Sequence, residues 1–203
     1  MRTDTLGLIL AGGLARRMGG GDKPLRRVGG RTVLARVVDA VRPQVGALVL
    51  NANGDPARFA GHALPVVPDP LPDHPGPLAG VLAGLDWAAR HPGMEWVLSV
   101  PGDAPFLPAD LAERLHAGRV AAGTALACAA SDGWTHPVVG LWPVAIGPAL
   151  RAALIGGLRK IDAFTAAHGI AAIEWPIAPA DPFFNANRPE DLAEAERIAA
   201  LLP

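Results

Sequence analysis

The 203-residue sequence predicts an α/β fold in which a mostly parallel central sheet lies between layers of helices. Three observations carry that expectation. Short, continuously apolar runs (Leu6–Leu10, Ala47–Leu50, Leu64–Val67 and Trp96–Val100) recur through the first half, as strands buried on both faces should read. Segments with apolar residues at helical spacing separate them. Finally, the polar residues best suited to chemistry stand at the carboxyl ends of these runs, where open parallel sheets bind their ligands. Half of the chain is apolar and 18% is charged. That supports one domain, residues 1–203, with a substantial core.

Leu6–Leu10 opens the sheet and runs into a loop with five glycines, Gly12, Gly13 and Gly19 to Gly21, together with Arg16, Arg17 and Lys23. Glycines let backbone N–H groups converge on anionic oxygens, and the cations supply full charges, so this loop is suited to phosphate. It is not a P-loop, because Lys23 is followed by Pro24 where that motif needs Ser or Thr. Nor does it fit G-x-G-x-x-G, since Gly19 and Gly21 are followed by Pro24 at the last position.

Val28 to Arg31 reads as a turn and Thr32 as the N-cap of a helix running to about Arg42, with Val33, Leu34, Val37, Val38 and Val41 on its packed face. The second strand ends at Asn51-Ala52-Asn53-Gly54, and the third ends at Pro68-Asp69 after a short polar helix near Asp55 to Ala60. A Pro-rich stretch, 70–77, leads into a helix that begins at Pro77-Leu78-Ala79-Gly80 and ends near Pro92. Trp96–Val100 is the expected central strand. Pro101-Gly102-Asp103-Ala104-Pro105 stops it abruptly and fixes Asp103, the best metal-ligand candidate; Asp110 is the better cap for the helix that follows.

The second half is less regular. Ala125–Ala130 and Pro137–Trp142 form an expected antiparallel hairpin insertion, followed by helices over Val144–Ile155 and Leu158–His168, a strand at Ile170–Trp175 and a final amphipathic helix to Leu202. Cys128 is the sole cysteine and reads as a buried thiol.

The net charge of −1 leaves no footprint for nucleic acid or an anionic membrane. Seven basic residues between Arg16 and Arg36 nonetheless form a patch suited to a small polyanion, with Arg26, Arg27 and Arg36 read as surface. Arginine occurs sixteen times and lysine only twice, at Lys23 and Lys160, which singles out Lys23 beside the phosphate loop. No stretch is long and apolar enough to span a membrane, and a cytoplasmic location is expected.

The pattern Leu10-Ala11-Gly12-Gly13, Arg17-Met18-Gly19 and Lys23 resembles the signature of nucleotidyltransferases with a Rossmann-like fold, and most closely that of the molybdenum cofactor guanylyltransferases. The likeness covers nearly the whole chain. It includes Asn51-Ala52-Asn53, Pro75 to Gly80, His136-Pro137-Val138, and Phe184-Asn185-Ala186-Asn187-Arg188-Pro189-Glu190-Asp191-Leu192, with Arg188 where the family usually has Thr. The resemblance implies transfer of GMP from GTP to molybdopterin, with Mg²⁺ as cofactor and molybdoenzyme maturation proteins as candidate partners. It implies a nucleotide site formed by Leu10, Ala11, Gly12, Gly13, Lys23, Asn51, Asp69, Gly80 and Asp103, with Asp103 also holding the metal. Lys23, Asp103 and Arg17 are the expected catalytic residues. The C-terminal half would bind the acceptor through His136, Asn185 and Asn187, with Lys160 a further candidate. A phosphate nucleophile is already anionic, so the lack of an obvious general base is no difficulty.

Two other readings compete: a sister cytidylyltransferase or sugar-phosphate nucleotidyltransferase, and a GTP-binding module without transfer chemistry. The second is disfavoured by the missing P-loop.

Overall fold

The computed structural model describes residues 1–12, 23–71, 76–186 and 189–201, without the side chains of Lys23 and Pro189. Gly13, Arg17 and Asn187, three of the expected site residues, lie outside the described residues.

A seven-stranded sheet organises the chain. In chain order its strands are β1 (Arg2–Leu10), β4 (Val45–Asn51), β5 (Val66–Val67), β6 (Trp96–Pro101), β7 (Leu126–Ser131), β8 (Trp134–Pro143) and β9 (Ile170–Trp175). A separate small hairpin is made by β2 (Arg27–Val28) and β3 (Arg31–Thr32). The helices are α1 (Val33–Val41), α2 (Pro77–Ala89), α3 (Leu111–Ala122), α4 (Gly147–Ile155), α5 (Ile161–His168) and α6 (Pro189–Leu201). Across the sheet the order is β5-β4-β1-β6-β8-β7-β9, which puts β6 at the centre as expected.

All neighbouring strands run parallel except β8, which is antiparallel to both β6 and β7. The hairpin expected as an insertion is therefore part of the main sheet. Pairing of β8 with β6 is long-range, and the local apolar pattern that marks β8 as a strand says nothing about its partner.

Strand pleating sorts the core onto two faces. Ile9, Leu50, Leu98 and Val100 pack with Val33, Leu34 and Val37 of α1 and Leu111 and Leu115 of α3. Leu6, Leu8, Val49 and Val97 pack with Leu78, Leu82 and Leu85 of α2, Leu150 of α4 and Phe164 of α5. The result is the three-layer arrangement that the alternating elements predict.

Local chemistry sets several boundaries. Thr32 caps α1 as expected, its Oγ1 accepting from the Ala35 amide at 3.1 Å, a bond of about 1 kcal/mol. Asp110 precedes α3 but makes no side-chain cap. Instead, its carboxylate accepts from Trp175 Nε1 at 3.1 Å and ties α3 to β9. Gly29 and Gly30, at φ 57° and 75°, turn the β2–β3 hairpin, a left-handed conformation that glycine adopts without steric cost. Arg27 and Arg36 brace this hairpin through the carbonyls of Gly30 and Val28.

The second half of the sheet has one irregularity that matters for the site. Cys128 pairs with Gly140 but Ala129 pairs with His136, so Pro137, Val138 and Val139 bulge out of the β7–β8 ladder. Buried Ser99 on β6 holds the bulge, donating to the Val138 carbonyl at 2.8 Å while accepting from Trp142 Nε1 at 2.8 Å. Cys128 is buried as expected, and its thiol is pushed up to about 11, mainly by loss of solvation with the nearby Asp162 charge second.

Candidate active site

Strand register alone assembles the first part of the site. Leu10 stands beside Asn51 on one side and Pro101 on the other, and Asn51 stands beside Val67. The carboxyl ends of β1, β4, β5 and β6 thus form one row, and the residues just past them meet along a common edge. Backbone bonds carry the row beyond the strands: Ala11 N donates to Asn51 O at 2.9 Å, and Gly102 N donates to Leu10 O at 2.9 Å.

Asn51 is the last residue of β4 and its side chain is buried. Its Nδ2 donates to Val67 O at 3.1 Å and to Asp69 Oδ1 at 2.9 Å. The first turn of α2 comes against it at Gly80, where an added Cβ would lie 2.3 Å from Asn51 Oδ1 and 2.6 Å from a Leu10 methyl. Glycine at position 80 is therefore required for α2 to seat on the ends of β1 and β4. Leu10, Ala11, Gly12, Asn51, Asp69 and Gly80, six of the residues that the resemblance assigns to the nucleotide, are brought together at one corner of the edge.

Asn53 joins that corner through a reciprocal pair with Asp69. Its Nδ2 donates to Asp69 Oδ2 at 2.7 Å, and its Oδ1 accepts from the Asp69 amide at 2.9 Å. Sequence reading named the Asn51-Ala52-Asn53 segment without assigning Asn53 a place in the site. The available signal was the Asn-x-Asn spacing at a strand end, which directs both side chains to one side.

The second part of the site is a cavity of about 330 Å³ beside the end of β6. Asp103 and Pro101 contribute from β6 and the turn after it, Thr135 to Val139 from the start and bulge of β8, and Phe183 and Asn185 from the segment before α6. Because β8 runs against its neighbours, its first residues lie at the edge where the parallel strands end. The Ala186 amide donates to the Asp103 carbonyl at 3.0 Å and pins the third wall to the first. Asp103, His136 and Asn185, separated widely in sequence, are thereby brought to one cavity.

His136 is oriented from behind. Its Nε2 lies 2.7 Å from the hydroxyl of buried Ser131, and its ring packs 5.1 Å from that of Phe183. Asn185 Oδ1 is buried and has no hydrogen-bond partner among the described residues. A buried amide oxygen left unmade is costly, and this one belongs to a residue lining the same cavity as Asp103. Lys23 begins a short 3-10 helix, Lys23–Leu25, directly after the Gly-rich loop. Lys160 precedes α5 and is exposed, and the carbonyl of the neighbouring Arg159 lies 4.0 Å from where a Cβ on Gly76, just before α2, would stand. Among the described residues no cluster of three or more His, Cys, Asp or Glu side chains is placed to hold a metal. Any metal here would rely on a sparse protein donor set.

Comparison with known proteins gives this edge its context. Residues 7–170 match the MobA-like NTP transferase domain family. The chain is 60% identical over 197 residues to a molybdenum cofactor guanylyltransferase of Rhodopseudomonas palustris, covering 96% of this chain and 94% of that one. It is 58% identical to a molybdenum cofactor guanylyltransferase of Nitrobacter hamburgensis, covering 97% and 95%. The fold is that of the molybdopterin-guanine dinucleotide biosynthesis protein A from Archaeoglobus fulgidus, with a TM-score of 0.75 at 22% identity, over 97% of this chain and all of that one. A parallel-sheet edge carrying a polar corner beside a cavity, in a chain matched over most of its length, is thus that of a nucleotidyltransferase, and the chain belongs to the MobA-like NTP transferase family.

Proposed function

We propose that this enzyme transfers GMP from GTP to molybdopterin, releasing pyrophosphate, in the cytoplasm. The observation that carries the reading is the adjacency of the two parts of the site: the corner around Asn51, Asp69 and Gly80 adjoins a separate cavity, and Asp103 stands at the end of the strand between them. A transferase needs one site for the donor nucleotide and another for the acceptor. The relatives' shared name, molybdenum cofactor guanylyltransferase, supports a guanylyl donor and a molybdenum-cofactor acceptor.

In this reading Leu10 to Gly13, Asn51, Asp69 and Gly80 hold the nucleoside, and Lys23 with Arg17 neutralises the triphosphate. A phosphate oxygen of the acceptor attacks the α-phosphorus of GTP. One P–O bond forms there while the bond to the bridging oxygen breaks, and its electron pair leaves with pyrophosphate. His136, Asn185 and Asn187 position the acceptor for in-line attack, which accounts for much of catalysis when no proton has to be moved.

The residues present fit Mg²⁺. Asp103 supplies a carboxylate and Asn185 an amide oxygen that lacks any partner among the described residues, and a hard cation with one or two protein oxygens takes its remaining ligands from water and substrate phosphates. When bound, Mg²⁺ would stabilise the charge that develops on the α-phosphate. The protein's part is to hold Asp103 rigidly at the strand end.

The test is a reaction of purified protein with molybdopterin, Mg²⁺ and each nucleoside triphosphate in turn, scored by dinucleotide and pyrophosphate. GTP should give product. Product from CTP in preference to GTP would move the enzyme to cytidylyl transfer.

A further inference from the structure

The Asn53–Asp69 pair is exposed on the Asn53 side. A hydrogen-bonded pair so placed contributes little to stability, yet three bonds converge on Asp69. Asn53 grips Asp69 Oδ2 and the Asp69 amide, and Asn51 grips Asp69 Oδ1. The backbone of Asn53 is itself held, its carbonyl accepting from Arg58 at 2.6 Å. Both oxygens of one carboxylate are therefore fixed by amides on alternate residues of a strand end, and its side-chain rotation is stopped.

An ionised carboxylate accepts about four hydrogen bonds. The two asparagines occupy one site on each oxygen. We propose that Asn53 is a positioning residue which fixes Asp69 so that each oxygen presents its remaining lone pair to one of two adjacent donors on the nucleoside. Two parts of a guanosine nucleotide offer such a donor pair: guanine N1–H with the 2-amino group, and the 2′ and 3′ hydroxyls of ribose. This inference rests on the reading of Asp69 as a nucleotide contact.

The test is calorimetric binding of Mg²⁺-GTP, Mg²⁺-ITP (which lacks the 2-amino group) and Mg²⁺-2′-deoxyGTP to the wild type, Asp69→Ala, Asn53→Ala and Asn53→Asp. The aspartate variant keeps the acceptor for the Asp69 amide but replaces the donor to Oδ2 with a second negative charge. Asn53→Ala should weaken GTP binding by about tenfold, and Asn53→Asp by at least as much, with unchanged thermal midpoints. The loss should be selective. If Asp69 meets the base edge, preference for GTP over ITP collapses in both Asn53 variants. If it meets the ribose, preference for GTP over 2′-deoxyGTP collapses. Equal loss for all three nucleotides, or no loss, overturns the role of Asn53 when Asp69→Ala weakens GTP binding. If Asp69→Ala itself binds GTP as the wild type does, the reading of Asp69 is what fails, and the role of Asn53 falls with it.

Discussion

The two edges of the central sheet use polar residues in opposite ways. At the edge where the parallel strands begin, Thr5 Oγ1 lies 2.9 Å from His116 Nε2, both groups fully buried, and Trp96 packs edge-on to the His116 ring. Gln44 donates to the carbonyls of Ala40 and Pro108 and accepts from the Ala112 amide, stitching α1 to α3. Arg119 keeps a buried Nε without a partner among the described residues, and its guanidinium stacks 3.8 Å above the Trp96 ring. There, the polar groups of Thr5, His116 and Gln44 are consumed by one another or by the backbone. At the opposite edge Asp69 keeps acceptor capacity and Asn185 Oδ1 has no partner among the described residues. Polar groups that close on each other stabilise a fold; polar groups with capacity left over are available to a ligand.

This contrast predicts that changes at the two edges separate activity from stability. The largest effect on turnover should come from Asp103→Asn. Removing one carboxylate charge without volume should lower kcat by about a thousandfold while the unfolding midpoint stays put. Steady-state rates at limiting Mg²⁺ measure it, and a wild-type rate there would remove Asp103 from the chemistry.

Nucleotide choice should come next. A corner built to bond guanine leaves buried polar groups unpaired when cytosine enters, so GTP should exceed CTP and ATP in kcat/KM by at least about a hundredfold, or roughly 2.7 kcal/mol. Competition between labelled nucleotides reads this ratio directly. Lys23→Ala should follow, raising KM for the triphosphate and lowering kcat by about tenfold or more as charge grows on the leaving pyrophosphate. An unchanged kcat/KM would make Lys23 a surface residue.

The smallest effect on turnover should come from the closed edge, with a large effect on folding instead. His116 is held down to about 4, chiefly by burial and next by the Arg2 charge. Its folded value lies below the unfolded 6.5, so the unfolded chain binds the extra proton between those values. Stability from this group is complete above about pH 6.5 and is lost as pH falls toward about 4, by up to roughly 3 kcal/mol. In His116→Gln, urea unfolding should show that part of the pH dependence flattened, with kcat at pH 7.5 unchanged. A variant that loses kcat at neutral pH would couple the two edges.

Much of this molecule could be read from its sequence because parallel strands announce themselves locally. Leu6–Leu10 and Trp96–Val100 are continuous apolar runs, and the placement of Asn51, Asp69 and Asp103 at the carboxyl ends of the sheet was recognisable from where such runs stop. The extension of β1 back to Arg2 was not legible, since Arg2 and Thr3 are exposed and carry no apolar signal. β5 shrank to Val66–Val67 because only those residues find a partner in β4. The Asn-x-Asn spacing hints at the side that Asn53 faces, but its pairing with Asp69, like the bond between Asp110 and Trp175, joins residues far apart in sequence, and no local pattern names the partner. The cavity was unreadable for the same reason: it depends on β8 entering the sheet beside β6.

That placement of β8 also governs the order in which the protein can be made. A ribosome delivers β1, β4, β5 and β6 first, and these can pair as soon as they emerge. The edge of β6 that β8 will cover then stands open, with Val97, Leu98, Ser99 and Val100 all destined for burial. Until Trp134–Pro143 has been synthesised, the nascent chain displays an uncharged strand edge of the kind that pairs with other chains. A fragment ending after Asp103 should therefore associate with itself through β6, and adding β7 and β8 should abolish that association.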